Sequence, residues 1–203
     1  MIVAGPTMSG KTHFMMNLLK HRRCIEPSPK KVQWCYGMRN ERQFSKILKT
    51  SKYPVHFNKG LPNIDDIKPN SQTLIVLDDL MTDAGKSATI SELFTKGMHH
   101  NNISIILIVQ NLYHQGKKMR DISLNANYIT LFKNPRDARQ ITYLSSQMFP
   151  LLPRYLPDAF QQATERPHGY LVIDCTQTTA SNMRLLTNIF PHEKCYFLIP
   201  KKR

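Results

Sequence analysis

Residues 5–12 read Gly5-Pro6-Thr7-Met8-Ser9-Gly10-Lys11-Thr12, a gapless match to GxxxxGK[ST]. The pattern has a chemical reason. Glycines let the backbone turn tightly, so that successive N–H groups converge on a phosphate, and a helix starting at the lysine adds its positive dipole end. Gly5, Pro6, Thr7, Met8, Ser9 and Gly10 would supply the cradle. Lys11 would reach the β- and γ-phosphates, and the Thr12 hydroxyl would bind Mg²⁺. A glycine turn with a chance lysine is the alternative, and context argues against it. Strand-like residues 1–4 precede the loop and helix-like residues 11–20 follow it. The expected ligands are ATP and Mg²⁺.

Farther along, Leu74-Ile75-Val76-Leu77-Asp78-Asp79 is an apolar strand ending in two carboxylates. The carboxyl ends of parallel strands face the ligand crevice. Asp78 is thereby a second Mg²⁺ ligand, direct or through water, and Asp79 is placed to polarise an attacking water. A pair of solvated carboxylates closing a strand is the alternative. Another apolar run, 103–109, ends in Gln110-Asn111. Gln110 could hydrogen-bond the γ-phosphate or the water and report hydrolysis to the sheet; otherwise it is a strand-ending amide in a turn.

Around these tips, strand-like runs at 1–4, 32–36, 73–77, 103–109, 128–132, 170–174 and 195–199 alternate with helical spacing at 11–20, 41–49, 87–99 and 137–147. Residues 53–70 hold Pro54, Pro62 and Pro69 and read mostly as loop. Alternation of this kind predicts an α/β P-loop NTPase (RecA/ASCE-like), with a mainly parallel central sheet and helices on both faces. A chain of 203 residues suits one domain, with a core at 1–150 and C-terminal strands and a basic tail at 151–203. Polar residues 161–168 are too short for a linker. The first strand is short for a P-loop protein: either it is short here, or Met1 is an internal start.

Twenty-eight Lys and Arg against 14 Asp and Glu give a net charge of +14, which favours polyanionic partners. The charge is clustered at 20–23, 30–31, 117–120, 136–139 and 201–203, beside a nucleotide site. A uniformly solvated basic surface is the plainer reading. Cys24, Cys35, Cys175 and Cys195 form no CxxC pair, which argues against zinc and for a reducing compartment; Cys35 and Cys175 read as core thiols. No run approaches the roughly 20 apolar residues of a membrane span, and no secretory signal is visible.

The order GPTMSGKT, LIVLDDL, FTKGMHHNNISIILIVQNLYHQGK, LNANYITLFKNPRDARQI and YLSSQMFP resembles the genome-packaging ATPases of eukaryotic double-stranded DNA viruses. These form the poxvirus-type branch of the FtsK/HerA superfamily, and the versions in Polinton/Maverick elements, adintoviruses and virophages are most similar. The resemblance runs from Ile2 to about Pro150, and more weakly over 169–200. Residues 99–137 are more specific than the phosphate loop, which many families share. The resemblance implies a homo-oligomeric ring of about five or six subunits that threads double-stranded DNA into a capsid through a capsid or portal protein, with no membrane. It places the protein inside the host cell, where virions assemble in nucleus or cytoplasm, with virion association a further option. It maps Lys11, Thr12, Asp78, Asp79 and Gln110 onto the nucleotide site.

Such rings complete each site with an arginine from the neighbouring subunit, for which Arg136 and Arg120 are the candidates; a surface or DNA-facing role is the alternative for each. Lys117, Lys118 and Arg139 are the candidate DNA contacts. Many related ATPases carry Glu where Asp79 stands, one methylene longer. Three other readings stay open: another DNA-translocating or helicase-type ATPase, a P-loop kinase with 117–120 as a lid, and a DNA adaptor that binds nucleotide without turnover. His99 and His100 read as helix-end residues, and Tyr143, Phe149 and Tyr155 as core.

Overall fold

A computed structural model describes residues 1–62, 71–80, 103–113 and 122–200. The helix expected at 87–99, His99 and His100, the basic residues Lys117, Lys118 and Arg120, and the tail 201–203 lie outside them. Over the described residues the strands are β1 (Ile2–Ala4), β2 (Lys31–Tyr36), β3 (Val55–Lys59), β4 (Thr73–Asp78), β5 (Ser104–Val109), β6 (Tyr128–Phe132), β7 (Tyr170–Asp174), β8 (Leu185–Thr187) and β9 (Tyr196–Phe197). The helices are α1 (Lys11–Lys20), α2 (Glu41–Thr50), α3 (Arg139–Met148) and α4 (Tyr155–Ala163).

All nine strands form one sheet in the order β3-β2-β4-β5-β1-β6-β7-β8-β9. The pairings from β3 through β6 are parallel, and those from β6 to β9 are antiparallel. Side chains alternate across a strand, so each central strand feeds two cores. Val3, Val76, Ile106 and Ile108 pack with Phe14, Met15, Leu18 and Leu19 of α1 and with Phe44 and Ile47 of α2. Ile2, Ala4, Ile75, Leu77, Leu107 and Leu131 pack on the other face with Ile141 and Leu144 of α3 and Leu156 and Ala159 of α4. This is the expected α/β P-loop fold, a mainly parallel sheet with helices on both faces. Among the described residues, no helix is long and apolar enough to cross a membrane.

Several expectations need correction. Within residues 53–62, the described part of the stretch read mostly as loop, β3 runs at the sheet edge. Its residues are only half-buried or exposed, so no apolar run marks it; its pairing with β2 creates it. Helix α4 takes in 161–163 of the supposed polar stretch, and Pro157 sits in its first turn, where no intrahelical N–H is needed. Strand β8 is three residues long and carries no periodicity signal. The strand expected at 195–199 shrinks to two exposed residues. Cys35 is fully buried, but Cys175 is only partly so. Tyr143 is 55% exposed rather than core, edge-on to Tyr113, whereas Phe149 and Tyr155 are buried as expected.

Candidate nucleotide site

The topology decides which strand tips meet. β5 lies between β1 and β4, with Ala4 opposite Val109 and Ile108 opposite Asp78. The loop leaving β1 therefore has Gln110, the residue after β5, beside it. The Asp78-Asp79 pair stands one strand farther along the same carboxyl edge.

The loop begins tightly. Gly5 donates its N–H to Val109 O at 3.2 Å, and a Cβ on Gly5 would stand 2.6 Å from Phe132 Cβ and 2.8 Å from Ser9 Oγ. Ser9 N–H closes a turn onto Pro6 O at 3.2 Å. Gly10 has φ +111°, a left-handed backbone that favours glycine, and leads directly into α1. That helix has no side-chain cap and no acidic residue in its first turn. Its first N–H groups thus keep their demand for an acceptor, as anion-binding helix starts do.

Lys11 Nζ donates to Gly5 O at 2.6 Å and Pro6 O at 2.8 Å, folded back onto the loop's own carbonyls. Burial lowers the Lys11 ammonium from its ordinary range, while Asp78 and Asp79 pull it back up. Ser9 Oγ is buried without a hydrogen-bond partner among the described residues. A cationic amine, orphaned helix N–H groups and an orphaned hydroxyl together fit a polyphosphate.

Asp78 is deliberately held. Its Oδ2 accepts from Trp34 Nε1 at 3.2 Å and from Gln43 Nε2 at 2.9 Å. Burial pushes its carboxyl up, the two donors and Lys11 oppose this, and neighbouring Asp79 adds to it; the net shift is upward. Such a carboxylate gains from a cation. Among the described residues no three His, Cys, Asp or Glu surround a metal. Asp78 and Thr12 carry the oxygen donor types that Mg²⁺ takes, a carboxylate and a hydroxyl.

Asp79 is exposed, with φ +56°. Gln110 Nε2 donates to its Oδ1 at 3.4 Å. Gly37 makes room: a Cβ there would lie 2.7 Å from Asp79 O. The structure thus joins Asp79 and Gln110 at neighbouring tips.

The arginines are arranged otherwise. Arg136 is exposed in the turn after β6, where its backbone N–H donates to Asn134 Oδ1 at 3.2 Å; Arg139 is exposed at the start of α3. Asp137 Oδ2 accepts from Gln140 Nε2 at 2.6 Å and from Asn111 Nδ2 at 3.5 Å, and Gln140 Oε1 accepts from Leu112 N–H at 3.3 Å. These bonds connect the chain after Gln110 to the Arg136 turn.

Sequence reasoning missed three contributors. Trp34 and Gln43 lie on β2 and α2 and reach Asp78 only in the folded sheet. Gln43 carries a local signal, but for another purpose: Asn40 caps α2 by accepting Gln43 N–H at 3.1 Å. The third is His168, whose Nδ1 lies 3.2 Å from Ser9 O. No motif pointed to it.

Residues 38–134 match the family of the poxvirus A32 protein. The A32 match begins after the phosphate loop and includes Asp78, Asp79 and Gln110, so it is independent of the GxxxxGK[ST] signal. It is narrower than the resemblance read from sequence, which extended from Ile2 to about Pro150. Among curated proteins, none matches. Solved structures do. The genome packaging NTPase B204 from Sulfolobus turreted icosahedral virus 2, in complex with sulfate, is 15% identical with a TM-score of 0.54, covering 88% of this chain and 92% of that one. The same protein in complex with ATP-gammaS is 16% identical with a TM-score of 0.52, covering 88% and 93%. B204, the DNA-packaging ATPase from Sulfolobus turreted icosahedral virus, is 15% identical with a TM-score of 0.54, covering 85% and 90%. At these identities the likeness is one of fold.

Proposed function

We propose that this chain is an ATP-hydrolysing motor that translocates double-stranded DNA and packages a viral or virus-like genome into a capsid. The observation that carries the reading is the gathering of three strand tips at one edge: the 5–12 loop, the Asp78-Asp79 pair and Gln110. The A32 match across two of the three tips and the shared fold with the B204 packaging NTPases support it.

In this reading ATP is the substrate. Its β- and γ-phosphates lie in the cradle of Gly5, Pro6, Thr7, Met8, Ser9 and Gly10, and the Lys11 ammonium exchanges the Gly5 and Pro6 carbonyls for phosphate oxygens. Mg²⁺ held by Thr12 and Asp78 would supply charge neutralisation at the phosphates. Asp79 takes the hydrogen bond of the attacking water, and Gln110, already bonded to Asp79, senses whether the γ-phosphate is present. The bonds from Asn111 and Leu112 to Asp137 and Gln140 transmit that state to the turn bearing Arg136.

In a ring of about five or six subunits, exposed Arg136 is the arginine offered to the neighbour's phosphates, with Arg120 the second candidate. Lys117, Lys118 and Arg139 contact DNA phosphates rather than bases, because a packaging motor accepts any sequence. A capsid or portal protein is the docking partner.

The test is ATP turnover by the purified chain with and without duplex DNA, beside Lys11→Ala and a magnesium chelator. Stimulation by duplex of any sequence is expected, with turnover reduced at least about a hundredfold in the variant and abolished by chelation. The DNA response should fall steeply with salt, with a log–log slope of about −0.9 per neutralised phosphate. Turnover indifferent to DNA would sink the motor and favour a kinase.

A further inference from the structure

A cavity adjoins the phosphate loop, lined by residues that, Gly10 apart, take no part in the chemistry above. It is a cleft of about 470 Å³ between the start of α1 and the segment from Arg166 to Glu193. That volume is within the roughly 300–1,000 Å³ of small-molecule sites. Gly10 and His13 form one wall, so the cleft opens directly from the last glycine of the loop and the residue after Thr12.

The opposite wall is fixed to the loop. His168 Nδ1 lies 3.2 Å from Ser9 O, and its Cβ would stand 3.2 Å from a Cβ on Gly10. His168 itself has φ +60°, a left-handed backbone that costs a non-glycine residue free energy and is found where surrounding structure imposes it. The ring of His192 lies parallel to that of Phe190, 2° apart in plane with centroids at 6.0 Å, and Phe190 packs on Phe14. His192 is exposed while Phe190 is buried, and the His21 ring lies 5.6 Å from that of His192, tilted by 33°, so the exposed part of the His192 ring is the aromatic surface that lines the cleft.

Glu193 adds a fixed acceptor. Tyr170 Oη–H donates to its Oε2 at 2.8 Å, and Arg166 Nη2 to its Oε1 at 2.7 Å. Burial alone would raise this carboxyl, but those two donors and the Arg166 charge hold it below its ordinary range. Two accepted bonds leave acceptor capacity in a group with about four lone-pair sites.

We propose that this cleft binds the nucleoside end of the nucleotide, with the base on the exposed part of the His192 ring and the ribose hydroxyls toward Glu193. The inference rests on the phosphate-loop reading, since the cleft shares Gly10 with that loop and has His13 on its wall. An aromatic face and one anionic acceptor suit a flat base and a diol. C-terminal residues outside every motif thereby distinguish a nucleotide from inorganic polyphosphate.

The test is calorimetric binding of a non-hydrolysable ATP analogue and of inorganic tripolyphosphate to the full chain, with Mg²⁺, for wild type, Lys11→Ala, His192→Ala and His13→Ala. Both histidines are exposed, and a thermal melt verifies that each variant is folded. The analogue should bind wild type at least about tenfold more tightly than tripolyphosphate, as base stacking on an aromatic face allows. That advantage should shrink to about threefold or less in His192→Ala, and partly in His13→Ala, with tripolyphosphate affinity unchanged. Lys11→Ala should weaken both ligands together. Equal affinity of the two ligands in wild type, or an advantage that survives both histidine substitutions, would overturn the cleft assignment while leaving the phosphate loop standing. If neither ligand binds wild type, the phosphate-loop reading fails and the cleft falls with it.

Discussion

The parallel and antiparallel halves of the sheet do different work. In the parallel half, from β3 to β6, every strand runs the same way, so the carboxyl ends collect at one edge. The 5–12 loop, Asp78, Asp79 and Gln110 are all there because of that shared direction. The antiparallel half, β7 to β9, supplies none of those groups. Instead it packs aromatic side chains under α1: Phe14 meets Tyr170 at 4.9 Å and Phe190 at 5.2 Å between centroids. One half holds reactive groups, and the other braces the helix on which the phosphate loop depends.

That division can be broken by experiment. The largest stability effect is expected from Phe190→Ala. Phe190 is buried against Phe14 and Tyr170, and truncating a buried Phe costs about 3–5 kcal/mol. Urea unfolding should show that loss although Phe190 lies far along the chain from the loop; a loss under about 1 kcal/mol would mean that the antiparallel half does not brace α1.

Asp78→Asn should separate the halves through pH. The Asp78 carboxyl is held above its unfolded range, chiefly by burial. The folded state therefore keeps that proton longer than the unfolded chain does. The stability this contributes is complete below about pH 4 and is lost as pH rises through the folded value. Without Mg²⁺, wild type should lose stability relative to Asp78→Asn between acid and neutral pH, while the variant loses Mg²⁺-dependent turnover at every pH. A stability difference that does not change with pH would contradict the burial of a charged group at this tip.

The smallest effect is expected from Asn40→Ala, which removes the α2 cap and should cost about 1 kcal/mol. Because Gln43 of the same turn donates to Asp78, Mg²⁺ affinity should also fall slightly. Unchanged Mg²⁺ affinity would show that Gln43 is positioned by the helix body and not by the cap.

Much of the parallel half was legible because its signals are local. Strand 128–132 and helix 11–20 appear with their expected bounds, as does strand 170–174 of the antiparallel half. A continuous apolar run such as Leu74-Ile75-Val76-Leu77 can only be covered on both faces, and all four residues are fully buried. Strands β3 and β8 escaped because neither has such a run: β3 is half-exposed at the sheet edge, and β8 has three residues. Helix α4 was obscured by Pro157, which is harmless only in a first turn.

The sequence by itself determined the reactive groups and the order in which they occur, because glycine conformation, lysine charge and carboxylate chemistry are properties of residues and short spacings. Only the tertiary structure decided the neighbours. That β5 inserts between β1 and β4, that Trp34 and Gln43 hold Asp78, and that His168 lies against Ser9 are contacts between residues as many as 159 positions apart. No pattern within a helix turn or a strand repeat encodes such contacts, since they follow from burying two faces of one sheet at once.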